Sequence, residues 1–316
     1  RGLNQPRQAV PYIEEAARLF QMAFEQRPDS LFLKRYVATE FTGLVIAHRR
    51  IGHVKDVERN LSLEEITLKE LRLLDVGNLS TLERLMYWHS GKGSHQSALG
   101  NIEGAIENHK AALEYANQIL AIEPDNNLWQ EDRTLSELYL VLAYLKYADY
   151  VEARRTFMSS VAPNLFRNDE EKIANRHQLD IRFLIFLTVL RMAEAGVNLD
   201  VETPSVNEVF VKAVENTPQL KKTQRGRWVL AAIYEQKIQD LITEGRIADA
   251  NILFDSLWGK LEGENHDQVP VLLQTLLAIV QRMGDQVRAE EIRQTLIERG
   301  YGQALEGADL TAQETY

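Results

Sequence analysis

Helix-breaking residues return along this chain about every 48 residues, and that spacing narrows the possible folds more than any other feature. One series of breaks is Pro28-Asp29, Gly77-Asn78, Pro124-Asp125 and Pro218-Gln219, with Asn168-Asp169 as a weaker member. A second series, Gly52, Gly100, Ala148, Gly196 and Gly245, falls roughly midway between them. The stretches between breaks run about 20 residues with three- and four-residue apolar steps. Each unit therefore reads as a helix, a tight turn, an antiparallel helix and a linker. A single hairpin cannot bury its apolar face alone, and stacking neighbours solves that problem.

Composition agrees with a folded helical chain. Of 316 residues, 45% are hydrophobic, while Gly (17) and Pro (8) are sparse. The net charge of −10 argues against a nucleic-acid partner, because such binding draws on Lys and Arg neutralising phosphates. Cysteine is absent, which removes disulfides, cysteine metal sites and thiolate catalysis. The compartment stays open, with the cytoplasm favoured over the periplasm. The most apolar run, Phe183 to Leu190, is closed by Arg182 and Arg191. A membrane span needs about 20 apolar residues, so the run reads as a core helix. The chain begins at Arg1 without a secretory hydrophobic region, and reads as a piece of something longer.

Along the repeats, Pro11 suits the first turn of a capping helix ending near Gln26. Asp29 or Ser30 caps the next helix, with Leu33, Val37, Phe41, Leu44 and Ala47 on its apolar face. Its partner is predicted to start after Ser62, where Ser62-Leu63-Glu64-Glu65 has the form of a capping box, leaving residues 53–60 as a looser connection. Ser80-Thr81-Leu82-Glu83 reads as another box. Gly91-Lys92-Gly93-Ser94 is expected to interrupt the helix that follows, since two glycines cost about 2 kcal/mol relative to alanine. The clearest stripe is Ile102, Ala105, Ile106, His109, Leu113, Ala116 and Leu120. Leu128, Leu135, Leu138, Leu142 and Leu145 form the next, and Tyr150 to Val161 follows. Repeat four takes a long helix from Glu170 to Ala195 and a shorter one capped by Thr203. Repeat five turns at Gly245, and a final hairpin over about 267–299 turns at Gly284-Asp285.

The turn segments 98–105, 244–250 and 283–289 share a small-Gly-x-hydrophobic-x-x-Ala texture. In this they resemble the tetratricopeptide repeat, with a longer interval than that family's usual unit. Segment 116–129 and the closing 296–301 are similar to long-repeat tetratricopeptide regions of large bacterial multidomain signalling proteins. The resemblance implies an all-α, right-handed α-solenoid of antiparallel helix hairpins, tetratricopeptide-like. Residues 1–28 would be a tail and capping helix, 29–300 the superhelical domain of five to six hairpins, and 301–316 a tail.

First helices of such a stack line a concave wall, the usual seat for a peptide or partner helix. Arg84, Tyr87 and Trp88 lie within one helical turn, and Arg133 occupies the next first helix. Lys221, Lys222, Arg225 and Arg227 form a basic run in an acidic chain. Arg forks bind carboxylates bidentately, which suggests an acidic peptide or carboxylate ligand. Tyr144, Tyr147 and Tyr150 offer a surface for self-association. None of the seven histidines has ligand-type company in the sequence: His48 and His53 straddle a turn, as do His89 and His95 the glycine break, while His109 belongs to a core stripe. Neighbouring carboxylates such as Glu64-Glu65 point in different directions. No cofactor, metal or enzymatic activity is therefore expected. The functional expectation is a non-catalytic protein- or peptide-interaction module. The alternative is a small-ligand sensor closing round a metabolite near residues 84–95.

Overall fold

A computed structural model describes residues 6–161, 224–262 and 270–302, with isolated residues between 181 and 218 and Leu305. Among the described residues there is no strand. Two compact units divide the chain: Arg1–Ala143 with Arg299–Tyr316, and Tyr144–Glu298. The first contains α1 (Pro6–Gln26), α2 (Leu31–Ile51), α3 (Val54–Leu74), α4 (Leu79–Ala98), α5 (Ile102–Ile122) and most of α6 (Asn127–Lys146). The second contains α7 (Tyr150–Thr156), which continues into a π-helical turn (Phe157–Val161). It also holds α8 (Gln224–Thr243), α9 (Ile247–Glu262), α10 (Pro270–Arg282) and α11 (Gln286–Glu298).

The second series of breaks, together with the final turn at Gly284, closes its helices with one repeated motif. The amide after each break reaches back five residues: His53 to the His48 carbonyl (3.0 Å), Asn101 to Gln96 (2.9 Å), Asp149 to Tyr144 (2.9 Å), Val197 to Met192 (2.9 Å), Arg246 to Leu241 (2.8 Å) and Asp285 to Val280 (3.0 Å). This is the Schellman cap, which requires a left-handed residue at the turn. Gly52 supplies it at φ +78°, with five counterparts down to Ala148 at φ +60°. For an L-residue that conformation costs about 1–2 kcal/mol, so glycine dominates and Ala148 carries strain.

Several predicted boundaries shift. The capping helix α1 begins at Pro6, placing Pro11 inside it. Helix α3 starts directly after the Gly52 turn, at Val54, and residues 54–60 belong to it. Ser62 caps nothing: it sits mid-helix, its hydroxyl donating to the Glu58 carbonyl at 2.9 Å. Val57, Leu61, Leu68 and Leu71 are buried on one face of α3, and that burial outweighs a local capping preference. At the start of α4 the cap is Asn78, whose side chain accepts from the amides of Ser80 (3.0 Å) and Thr81 (3.4 Å), not the predicted box. Ser30 caps α2 as expected, accepting from the Leu33 amide at 3.3 Å.

The predicted break at Gly91-Lys92-Gly93-Ser94 is absent, and α4 runs through it unbroken. Gly93 lies against the imidazole of His109 on α5, where an added Cβ would stand 2.9 Å from Cε1. The glycine permits a close approach of two helices, and the packing of α4 on α5 holds it helical. The repeat-four readings at Glu170 and Thr203 lie outside the described residues.

In the first unit, Leu68, Leu71, Leu85, Met86, Trp88 and Ile119 form the main core across α3, α4 and α5. A second cluster of Ala17, Val37, Phe41 and Leu44 joins α1 to α2. In the second unit, Tyr234, Phe254, Leu257, Leu276 and Ile279 are buried. Helix α2 touches α4 directly, and α8 touches α10, although another helix separates each pair in the chain. In each unit, therefore, helices two apart in the chain lie side by side.

Candidate functional site

That side-by-side arrangement brings polar groups from successive repeats into contact in the first unit. Tyr87 on α4 donates its hydroxyl to Asp132 Oδ2 on α6 at 2.8 Å, a partner 45 residues away. Glu64 of α3 is buried and accepts from the Thr42 hydroxyl of α2. Burial pushes Glu64 up to about 8, against the smaller pull of Thr42 and Arg84. Glu83 is also raised, first by burial and then by the nearby Asp132, with Arg84 opposing. The Tyr87 hydroxyl is raised as well, by burial and then by Asp132. On α6, Arg133 Nε donates to Glu137 Oε1 at 2.9 Å.

The result is a half-buried polar wall. Arg84 stands near Glu64 and Glu83, Glu83 stands near Asp132, and Arg133 pairs with Glu137. Burial is the first cause of both raised carboxyl groups; Arg84 opposes it at each, and Asp132 adds to it only at Glu83.

Four of the predicted site residues can be placed on this surface or against it. Arg84, Tyr87 and Arg133 belong to the wall. Trp88 does not: it is 5% exposed, and its Nε1 donates to the Leu61 carbonyl at 3.0 Å. On an α-helix, successive residues point 100° apart, so Tyr87 and Trp88 cannot share a face. Trp88 anchors the α3–α4 core, with Lys92 Nζ 4.5 Å from its ring centroid. The side chains of Lys221, Lys222 and Arg225 lie outside the described residues, and Arg227 is half-buried on α8.

Glu64, Glu83 and Asp132 were not singled out from sequence. Asp132 stands about one repeat beyond Tyr87, and nothing in its local pattern marks it as a partner. The same interval recurs in the second unit, where Glu235 bridges Arg191, 44 residues before it, and Arg282, 47 residues after it.

Of the three tyrosines read as a self-association surface, Tyr144 is buried at 4% exposure, so it cannot face a partner. Tyr147 and Tyr150 are exposed, and Tyr150 borders an open groove with Val151, Arg154 and Met158. The expectation that no histidine has ligand-type company also fails. His48, His53 and Asp56 converge across the α2–α3 turn, with one potential ligand atom from each lying within 4.8 Å of the others. The Schellman turn reverses the chain there and returns α3 alongside the end of α2.

No protein-family model, curated protein or solved structure matches this chain. Among the described residues, no helix is long and apolar enough to cross a membrane.

Proposed function

We propose that the chain is a non-catalytic protein- or peptide-interaction module, each unit a run of right-handed, tetratricopeptide-like α-solenoid built from antiparallel hairpins. Its kinship would be with the repeat regions of bacterial signalling proteins. The repeated caps and the contacts one repeat apart support the solenoid reading. The polar surface of α4 and α6 is the binding surface, and the hydrogen bond from Tyr87 to Asp132 one repeat away, with Glu83 beside that same carboxylate, is the observation that carries this reading. Arg84 and Arg133, expected from sequence to line the binding wall, already stand beside carboxylates of their own chain. The occupant that suits the wall is therefore a peptide segment presenting Lys or Arg. A cation placed beside Glu83 and Asp132 would relieve their mutual repulsion.

The ligand-sensor alternative placed its pocket at residues 84–95, which form continuous helix with Trp88, Gly93 and His95 buried, and this supports the interaction reading over it. Fluorescence anisotropy with basic, neutral and acidic peptide pools tests the proposal. Basic pools should bind with strong salt dependence, and Glu83→Gln combined with Asp132→Asn should weaken them about tenfold, equivalent to about 1.4 kcal/mol. Equal binding of acidic pools, or binding untouched by the double variant, refutes it.

A further inference from the structure

The α2–α3 turn holds an arrangement that the interaction surface does not use. His48 closes the last turn of α2 and is 3% exposed, yet neither of its ring nitrogens has a hydrogen-bond partner. A buried polar atom without a partner is rare, because its hydration is lost with no return. His48 Nδ1 points toward Asp56 Oδ2 at 3.8 Å, and His53 Nδ1 lies 3.5 Å from the same oxygen. The two imidazoles are stacked with centroids 5.7 Å apart. His53 occupies the N-cap position of α3 but makes no side-chain cap bond, its ring being turned to Asp56 instead.

We propose that His48 Nδ1, His53 Nδ1 and Asp56 Oδ2 bind one first-row divalent cation, Zn²⁺ foremost. Ligand bonds of about 2.0–2.2 Å set donor atoms of a tetrahedral site about 3.3–3.5 Å apart, so a contraction of at most about 1.5 Å brings this set onto the cation. Imidazole with one carboxylate suits zinc and its neighbours rather than magnesium or calcium, which prefer all-oxygen sets.

The groups behind the three donors support the assignment. Glu14 Oε1 of α1 stands 3.9 Å from His48 Nε2, on the opposite side of the ring from Asp56. That is the position of the outer carboxylate that fixes a metal-bound imidazole by accepting its second N–H. Cation on one nitrogen and Glu14 on the other would satisfy both orphaned atoms of His48. Asp56 Oδ1 is held by Arg59 at 3.1 Å, which leaves Oδ2 facing the histidines. With His53 half exposed, the fourth coordination position is open to water or to a side chain of a bound partner.

The site also sits where the first unit closes on itself. Arg299 fills the space that a Cβ on Gly52 would occupy, and Gly300 lies against Val54, 3.1 Å from where its own Cβ would stand. A cation clamping His48 to His53 and Asp56 would stiffen the turn on which residues 299–301 rest.

Calorimetric titration of Zn²⁺ into chelator-stripped protein tests the proposal, with Co²⁺ absorption as the second readout. The expected result is one Zn²⁺ per chain and visible Co²⁺ bands of tetrahedral type. His53→Ala and Asp56→Asn change exposed or half-exposed side chains and should keep the helical circular dichroism. Each should weaken Zn²⁺ by about 100-fold or more, and Glu14→Gln by about tenfold, since outer partners alone are worth 10–100-fold. Absence of stoichiometric uptake by the unaltered protein overturns the assignment. Uptake undiminished in His53→Ala, or Co²⁺ spectra of an octahedral aquo ion, does the same.

Discussion

Removing the carboxylate of Glu235 should cost the second unit much of its stability. Glu235 is 6% exposed at its side chain and accepts from Arg191 on one oxygen and from Arg282, at 2.9 Å, on the other. Hydrogen bonds to charged groups are worth about 1.5–3 kcal/mol each, and breaking a buried pair costs about 3–5 kcal/mol. The guanidiniums of Arg191 and Arg282 are 30% and 46% exposed, so they can recover part of their hydration once the acid is gone. That recovery lowers the expected loss to about 3 kcal/mol for Glu235→Ala. Glu235→Gln keeps the shape and one acceptor oxygen, and should lose about 1.5 kcal/mol. For a unit of this size the alanine variant should melt about 6–12 °C lower. Urea titration followed by circular dichroism measures the loss, and hydrogen exchange should place it in α8 and α10. A double-mutant cycle with Arg282→Ala should return a coupling of about 1 kcal/mol. A loss below about 0.5 kcal/mol in both single variants, with no coupling, would show that this carboxylate does not tie successive repeats together.

Two further tests follow from local geometry and titration. Gly91 and Gly93 share one helix, but only Gly93 has a neighbour within 4 Å of where a Cβ would stand. Gly91→Ala should therefore raise stability by up to about 1 kcal/mol. Gly93→Ala should lower it by about 1–3 kcal/mol through collision with His109, and thermal melts read both. Glu64, raised to about 8 from a reference of 4.5, binds a proton in the folded chain that it releases on unfolding. Its contribution is fully present below pH 4.5 and is lost as the pH climbs toward 8. Glu64→Gln should match the unaltered protein near pH 4 and exceed it by about 1–3 kcal/mol at pH 8, so melting points across that range that stay parallel refute the reading. Burial of His95 and His109 lowers both to about 4 and gives an opposite slope in acid, which cancels in the comparison of the two proteins.

The repeat interval and the turn positions were legible in the sequence because they depend on local backbone energies. Gly52, Gly100, Gly196, Gly245 and Gly284 stand where a helix must end in left-handed backbone, a conformation that other residues resist. The stripe from Ile102 to Leu120 likewise records which side of α5 faces a neighbour. Tertiary packing decided the rest. The same residue type ends a helix at Gly100 but lies inside one at Gly93, because the penalty of about 1 kcal/mol per glycine is smaller than the gain from packing α4 on α5. Ser62 lost its capping role for that reason, and Trp88 passed from binding wall to core. Asp132, Glu235 and the meeting of His48 with His53 and Asp56 depend on how the chain folds back on itself. A partner 44 or 45 residues distant leaves no mark on the local pattern of either residue, so stacking alone selected those pairs.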